Sequence, residues 1–499
     1  QDISSSGLTG SPTLSINHPL YVTGDVDLDG FNSINGSNAG WEMSRGFVLY
    51  GNNTGTSRLF KTYGTVVNPK IVFSCNSDYT IVDTLKTNTI QAFPSSMMRA
   101  NNAGIEARNI GFAGRDFTDT RVYFVGGGWP ACWATDNSNY SYNGNCTFFF
   151  NGNTGSVQTV SGYVPNVVID QADSRVVYPA GIQILGNLTV NKSIDFTLQS
   201  RGYTQQIDWN VSGDFITKPG VEVILSDNTG SELFIAGNYN SLGTCTNITT
   251  LRSYTGGTSE VNVSGSVNIQ NSYLKGIYFT NAATVIDCND GGNNTNINFT
   301  AGSLAKTFYW RAQHSNSSDF EGNWSDPGHW TDNPANSVGD SSCLPSARDN
   351  VIFDINSFSP TSNGCTIDNN AYCNNFLCTA GITLNSQGSG QGNLFVAGDL
   401  QLVASVTFDY SGNIRLIGSG SITSAGNALM IRALILDNPN GLWTLQDSLF
   451  INGINNNRNY GILRLNAGSL QCNGQNVRIF NRFETSNSNN RSIDMSNSA

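Results

Sequence analysis

A double periodicity constrains this chain more than any other feature. Apolar residues alternate with polar ones in runs of three to six: Ile182 and Ile184, Leu188 and Val190, Ile194, Phe196 and Leu198, Val221, Val223 and Leu225, Val261 and Val263. A period of two places every second side chain on one face, which is the mark of a strand. No segment of useful length carries the i, i+3, i+4, i+7 pattern of a helix. A longer period is superimposed. A small or apolar residue, a glycine and a polar residue recur at Leu185-Gly186-Asn187, Ser212-Gly213-Asp214, Ala236-Gly237-Asn238 and Ser264-Gly265-Ser266, so the glycines fall 27, 24 and 28 residues apart. The signal returns at Ala397-Gly398-Asp399, Ser411-Gly412-Asn413 and Asn452-Gly453-Ile454, and occurs once early, at Thr23-Gly24-Asp25.

A repeat in the twenties without helix predicts coils of several short strands. The expected fold is all-β: a parallel β-helix (solenoid) of short stacked strands with loop insertions. One coil cannot bury its apolar face alone, so neighbouring coils stack around a continuous core. Glycine at a coil corner is expected to permit a positive-φ bend. Asn is expected to take left-handed positions and to bond its own backbone. A string of β-sandwich domains is the competing architecture; the short strands and only 13 prolines speak against it.

Composition narrows the function. Charged residues are 12% of 499, about half the usual share. Gly (53), Asn, Ser and Thr dominate, yet apolar residues reach 38%, so the chain is not of the disordered type. Net charge is −11 with no basic run, which speaks against nucleic acid and against docking on anionic lipid. No apolar run approaches the roughly 18 to 20 residues that span a membrane, so no direct membrane insertion is expected. Residue 1 is Gln, as in a chain already processed by a signal peptidase. Among the ten cysteines, neither Cys132/Cys146 nor Cys373/Cys378 has zinc-type spacing, and no His lies nearby. Disulfides in an oxidising compartment are expected. Cys132 and Cys146 enclose a short loop and are the expected local pair.

Two stretches interrupt the rhythm. Residues 104–165, with Gly126-Gly127-Gly128-Trp129-Pro130 and Asn143-Gly144-Asn145-Cys146, read as an elaborated loop or cap. Further on, Trp310, Trp324 and Trp330 lie within twenty-one residues of a polar, turn-rich segment around Asp326-Pro327-Gly328. Such a loop packs its indoles or presents them to a ligand as a sugar-binding platform. The expected division is therefore a β-helix segment over 1–306 and, over 307–499, a Trp-rich loop followed by further coils. Arg491-Ser492-Ile493-Asp494-Met495 still reads as strand, so the coils are expected to continue beyond residue 499.

The second segment also carries an ordered set of rare residues. It runs from Tyr309-Trp310 through Gly322-Asn323-Trp324-Ser325-Asp326-Pro327-Gly328-His329-Trp330, Cys343-Leu344-Pro345-Ser346, Asp349-Asn350-Val351-Ile352-Phe353-Asp354 and Ser357-Phe358. It continues with Ala371-Tyr372-Cys373, Trp443-Thr444-Leu445, Leu465-Asn466-Ala467-Gly468-Ser469-Leu470 and Asn473-Gly474-Gln475-Asn476-Val477. This set resembles a module of very large secreted surface proteins of Bacteroidota. The usual short glycine-rich link after Tyr-Trp is here the longer, polar stretch Arg311 to Glu321. The resemblance implies an adhesin exported by the type IX secretion system to the cell surface (outer membrane exterior), a class that includes the mobile adhesins of gliding bacteria. It implies as partners a polysaccharide or other external surface, with secretion and gliding machinery reached through regions outside this chain. The module often carries both Cys343 and Cys373, which implies a Cys343–Cys373 bridge, with Cys365–Cys378 as its neighbour and Cys245–Cys288 between coils. Cys343–Cys365 with Cys373–Cys378 stays open, because sequence does not fix connectivity. Bacteroidota attach O-glycans at Asp-Ser/Thr followed by an apolar residue; Asp83-Thr84-Leu85 and Asp447-Ser448-Leu449 resemble that signal and mark Thr84 and Ser448.

Candidate chemistry is sparse. Asp25-Val26-Asp27-Leu28-Asp29-Gly30 matches the start of a calcium loop, but its twelfth position is Gly36 instead of Glu. Asp25, Asp27 and Asp29 are thus either a solvated strand face or a Ca²⁺ site, and no other cofactor is expected. Glycoside hydrolases place two carboxylates about 5–10 Å apart. Asp208 with Asp214, or Asp287 with Asp290, are the candidates on a β-helix face, and neither has a supporting motif. His18, His314 and His329 lie on separate segments, and no catalytic triad, P-loop or dinucleotide fingerprint is legible. His329 sits between Gly328 and Trp330 and is expected to pack beside Trp. Sequons at Asn187, Asn210, Asn262 and Asn323 are of the kind that an Asn-, Ser- and Thr-rich chain produces by chance. The leading expectation is a non-catalytic adhesin segment; the alternatives are a β-helix polysaccharide lyase or glycoside hydrolase, and a purely structural stalk.

Overall fold

Strands that alternate apolar and polar residues pair, in parallel, with the strand one repeat later, and the chain is an all-β parallel β-helix. The computed structural model describes the chain apart from residues 1–2, 5–12, 17–18, 37–45, 50–57, 74–77, 93–96, 100–103, 112–120, 125–131, 134–146, 151–159, 171–181, 198–207, 314–321, 359–363, 387–391, 404–407, 454–458, 486–488 and 497–499, and some single positions and pairs. Two compact units are formed. The first comprises 1–242, 249–269 and 278–283; the second comprises 243–248, 270–277 and 284–499. The expected division at 306/307 falls inside the second unit.

Over residues 182–263 of the first unit each coil contributes three strands. Ile182–Ile184 pairs with Trp209–Val211, which pairs with Glu232–Ile235 and then Ser259–Val263. Leu188–Val190 pairs with Phe215–Thr217 and then Tyr239–Leu242, and Ile194–Asp195 pairs with Glu222–Leu225 and then Thr249–Ser253. The registers Ile182, Trp209, Leu233 and Val261 step by 27, 24 and 28 residues, the same steps as the glycines. Inward columns are fully buried: Val211, Ile235 and Val263; Leu188, Phe215 and Tyr239; Ile194, Val223 and Leu251. Phe215 and Tyr239 stack at 4.9 Å between ring centres. Each such side chain contributes about 1.5–3 kcal/mol through burial, which one coil could not supply alone.

The corner glycines have a different reason from the expected one. None of Gly186, Gly213, Gly237 and Gly265 has positive φ. They lie in a column where coils touch backbone to backbone: Gly213 N donates to Gly186 O (2.9 Å), Gly237 N to Gly213 O (3.0 Å) and Gly265 N to Gly237 O (3.0 Å). A Cβ on Gly237 would sit 2.5 Å from Gly213 O, and one on Gly265 would sit 2.4 Å from Gly237 O. The polar residue after each glycine bonds the next coil instead of its own backbone. Asn187 Oδ1 accepts from Asp214 N (2.8 Å), Asp214 Oδ1 from Asn238 N (2.7 Å), and Asn238 Oδ1 from Ser266 N (2.9 Å). Positive φ occurs at turns, such as Tyr63-Gly64 and Ala425-Gly426.

The described parts of the segment 104–165 carry solenoid strands. Gly104–Gly111, Arg121–Phe124 and Thr147–Phe150 pair in parallel, with Ile105 opposite Val122, Val122 opposite Phe148, and Phe148 opposite Val167. Coil strands run through it, and Cys146 lies outside the described residues. So does the side chain of Cys132, which leaves the pair Cys132–Cys146 outside the described residues.

The second unit repeats the same architecture. Its inward column Phe308, Val351, Phe376, Leu400, Ile422 and Leu445 is buried, with steps of 22 to 25 residues after a first step of 43. The Trp-rich loop fills that first, long coil. The same glycine grammar recurs: Gly398 N donates to Asn374 O (2.8 Å), Asn375 Oδ1 accepts from Asp399 N (2.6 Å), and Asp399 Oδ1 from Ser421 N (2.8 Å). A second apolar layer lies on the outside of this sheet, where Tyr372, Phe395 and Ile417 pack with Tyr273 and Ala347. Lys275 in this layer reaches Asp437 at 2.6 Å. Arg491–Asp494 is a strand, as expected; Phe483 and Ile493 follow the inward positions Leu463 and Leu470 and are 45% and 37% exposed.

Candidate functional site

The Trp-rich loop forms a clasp, built from its strands inward. Thr307–Trp310 pairs in parallel with Asn350–Phe353 and in antiparallel with Trp330–Thr331. Between them, Asp326 caps a single 3-10 turn, Pro327–His329, by accepting from Gly328 N (2.9 Å). These constraints bring Trp310, Trp324 and Trp330 together with ring centres 4.7–5.1 Å apart, and all three indoles are buried. The expectation of a sugar-binding platform is thereby corrected. Edge-to-face packing on one another, with stacked, tilted and edge contacts to Phe353, hides the ring faces that a sugar would need. His329 stacks on Trp310 at 4.8 Å, and its Nδ1 lies 2.9 Å from Arg311 O, so it packs beside indole as expected.

Arg311 locks the clasp. Its side chain is fully buried, with Nη1 and Nη2 on the two oxygens of Asp354 (3.0 and 3.3 Å), Nη1 on Trp310 O (2.8 Å), Nη2 on Pro334 O (2.9 Å) and Nε on Asn336 O. Sequence reasoning read Arg311 only as the start of a polar link. A buried Arg is legible only when its carboxylate partner, 43 residues away, is known.

The disulfide expectations are corrected. Cys245 bonds Cys343, with Cα atoms 5.1 Å apart, and neither residue pairs with Cys373, Cys365 or Cys288. Cys365, Cys373 and Cys378 are free inward-facing core residues, so Cys343–Cys373, Cys365–Cys378 and the alternative Cys343–Cys365 with Cys373–Cys378 are not formed. Cys245 is taken by Cys343, which removes Cys245–Cys288. Burial pushes the Cys288 and Cys378 thiols up to about 12 and raises those of Cys365 and Cys373 as well. These are inert core thiols.

The acidic candidates have structural employment. Asp25 Oδ1 accepts from Leu59 N (2.8 Å), and Asp27 accepts from Asp29 N (3.1 Å) and faces Lys61 at 3.9 Å. No group of three His, Cys, Asp or Glu side chains among the described residues is placed to share a metal ion. Asp208 accepts from Glu232 N (3.3 Å) and Asp214 from Asn238 N. Asp287 pairs with Arg348 (2.8 Å), and Asp290 accepts from Gly292 N (2.9 Å) and Asn294 Nδ2 (2.6 Å). The Asp-Thr/Ser-Leu signals serve as matching coil corners. Thr62 N donates to Asp83 (2.9 Å) and Thr62 Oγ1 to Thr84 O (3.1 Å); Ser424 N donates to Asp447 (2.8 Å) and Ser424 Oγ to Ser448 O (2.9 Å). His18 and His314 lie outside the described residues.

One cavity on the second unit was not legible in advance. It encloses about 130 Å³ and is lined by Arg432, Arg464 and Arg482, with Ala433, Ile462 and the amides of Asn413 and Asn459. Arg464 Nε donates to Glu484 at 2.6 Å and Arg482 Nε donates to the other oxygen of the same carboxylate. These hydrogen bonds, with that from Arg482 foremost, hold the Glu484 carboxyl below its usual range. The three arginines are 32 and 18 residues apart, so only coil register brings them together.

No helix among the described residues is long and apolar enough to cross a membrane. No protein-family model matches the chain, and no curated protein and no solved structure matches it.

Proposed function

We propose that this chain is a rigid, non-catalytic segment of a secreted cell-surface adhesin that holds a contact surface out to a polysaccharide or other external surface. The observation that supports the reading is the way its polar residues are used. The carboxylates and carboxamides that an enzyme of this architecture would turn toward substrate instead bond coil to coil, as in Asn187, Asp214 and Asn238. Stacked coils add length at little expense in stability, because each contacts only its neighbours. Weak contacts repeated over many copies on a cell then supply avidity. Type IX export and gliding motility are the most specific form of this reading and rest on the module resemblance of residues 307–499.

The test is incubation of the intact chain with pectins, alginates and algal glycans, measuring both retention and turnover. Retention on at least one polymer without new reducing ends or unsaturated products is the expected result. Turnover abolished by Asp208→Asn or Asp287→Asn would replace the adhesin with a lyase or hydrolase.

A further inference from the structure

We infer that the cavity formed by Arg432, Arg464 and Arg482 is an anion pocket that receives a carboxylate or sulfate group of an acidic polysaccharide. The choice of polysaccharide rests on the adhesin reading above; the anion pocket itself does not.

Coil register assembles the site. Asn413, Ala433, Ile462 and Arg482 are successive partners across four paired strands, and Arg464 lies two residues beyond Ile462 on the same outward face. Strand spacing of about 4.8 Å sets these side chains within reach of one group. Arg432 is added by an irregularity. Tyr410 pairs with Ile431 and Asn413 with Ala433, so Ser411 and Gly412 both stand opposite Arg432. A bulge of this kind re-aims the side chain beside it. Ile431 and Leu434 both point into the core, which leaves Arg432 and Ala433 together on the outside. Gly412 had read in sequence as one more corner glycine; its place is inside the strand Phe408–Leu416, at the bulge.

The charge balance is unusual for a chain of net charge −11. Three arginines line the cavity, and the carboxylate of Glu484 is bonded by two of them. Arg464 and Arg482 each direct only Nε to Glu484, and among the described residues their terminal Nη groups have no acceptor. Arg432, half-buried, makes no hydrogen bond or ion pair among the described residues. The next carboxylate along this face, Asp437, is already held by Lys275 and Arg415. A partly desolvated guanidinium without a partner is unfavourable, and an incoming anion relieves it. The guanidinium fork fits the paired oxygens of carboxylate and sulfate alike. At about 130 Å³ the cavity has room for one anionic substituent. The polymer would therefore lie on the coil surface and insert one group.

The experiment uses the full chain at constant ionic strength. Calorimetric titrations with sodium sulfate, oligogalacturonate, a sulfated galactan oligomer and neutral dextran are compared for wild type, Arg432→Ala, Arg482→Ala and, as a control, the exposed Arg478→Ala. Binding of sulfate and of at least one anionic oligomer is expected. It should weaken about tenfold or more in Arg432→Ala and Arg482→Ala and stay unchanged in Arg478→Ala. The unliganded melting temperature of Arg432→Ala should match wild type, since Arg432 bonds none of the described residues. Preference between the oligogalacturonate and the sulfated galactan identifies the anion. Anionic oligomers bound equally by wild type and Arg432→Ala overturn the pocket and leave the adhesin reading standing. Arg432-dependent binding of sulfate with no polymer bound overturns the polysaccharide assignment and counts against the adhesin reading.

Discussion

The coils over residues 182–265 and the clasp over 307–358 reach order by opposite means. In the coils, backbones approach one another at Gly186, Gly213, Gly237 and Gly265, and a polar side chain after each glycine bonds the next coil's amide. Each interaction joins neighbours one repeat apart. In the clasp, a 43-residue coil is closed by side chains: three packed indoles, a stacked imidazole, and a buried Arg311–Asp354 pair. The first region is specified by spacing and the second by the shape and charge of particular side chains. Damage should therefore be concentrated in the clasp and graded along the coils.

The sharpest way to break that comparison is Arg311→Met. It strands the Asp354 carboxylate and the carbonyls of Pro334 and Asn336, and should lower stability by about 3–5 kcal/mol. Urea unfolding followed by tryptophan fluorescence reads it; a shift equivalent to under about 1 kcal/mol would show that the indoles alone close the clasp. Removing the disulfide with Cys245→Ala and Cys343→Ala comes next, at about 2–4 kcal/mol, because the bond spans 98 residues. Nonreducing peptide mapping should recover Cys245 and Cys343 as one linked pair. Cys288, Cys365, Cys373 and Cys378 should react with a thiol reagent only after denaturation.

In the coils, Gly213→Ala should cost about 1–3 kcal/mol, since its Cβ would lie 2.7 Å from Gly186 O. Gly426→Ala serves as its counterpart: φ is +83° there and nothing lies near, so only backbone strain of about 1–2 kcal/mol applies. Close approach is the wrong account if the Gly213→Ala variant melts no lower than Gly426→Ala. The smallest contrast is inside the clasp. Trp330 Nε1 donates to Trp324 O at 2.9 Å, whereas Trp310 Nε1 has no acceptor. Trp330→Phe should thus exceed Trp310→Phe by about 1 kcal/mol in the same unfolding assay.

Much of the coil architecture could be read from the chain alone, because a strand's two-residue period and a coil's backbone contacts are local in sequence. Val211, Ile235 and Val263 had to face one way, and Gly213 and Gly237 had to recur one coil apart. Even there the reason for the glycines was out of reach. A free φ and a forbidden Cβ leave the same letter in the sequence, and only the distance to the neighbouring carbonyl separates them.

The candidate sites were less legible for a related physical reason. Trp310, Trp324 and Trp330 announce a structured loop, but whether an indole face meets a sugar or another indole depends on how a 43-residue coil folds back. Cys343 could have bonded several partners, and its choice of Cys245 follows from which chain segments lie side by side. Arg432, Arg464 and Arg482 carry no motif at all; register and the bulge at Ser411-Gly412 bring them to one cavity. By itself the sequence determined the class of fold and its repeat, since those depend on neighbours in the chain. Tertiary structure alone decided the clasp, the disulfide and the anion pocket, since each joins groups that only the stacking of coils makes adjacent.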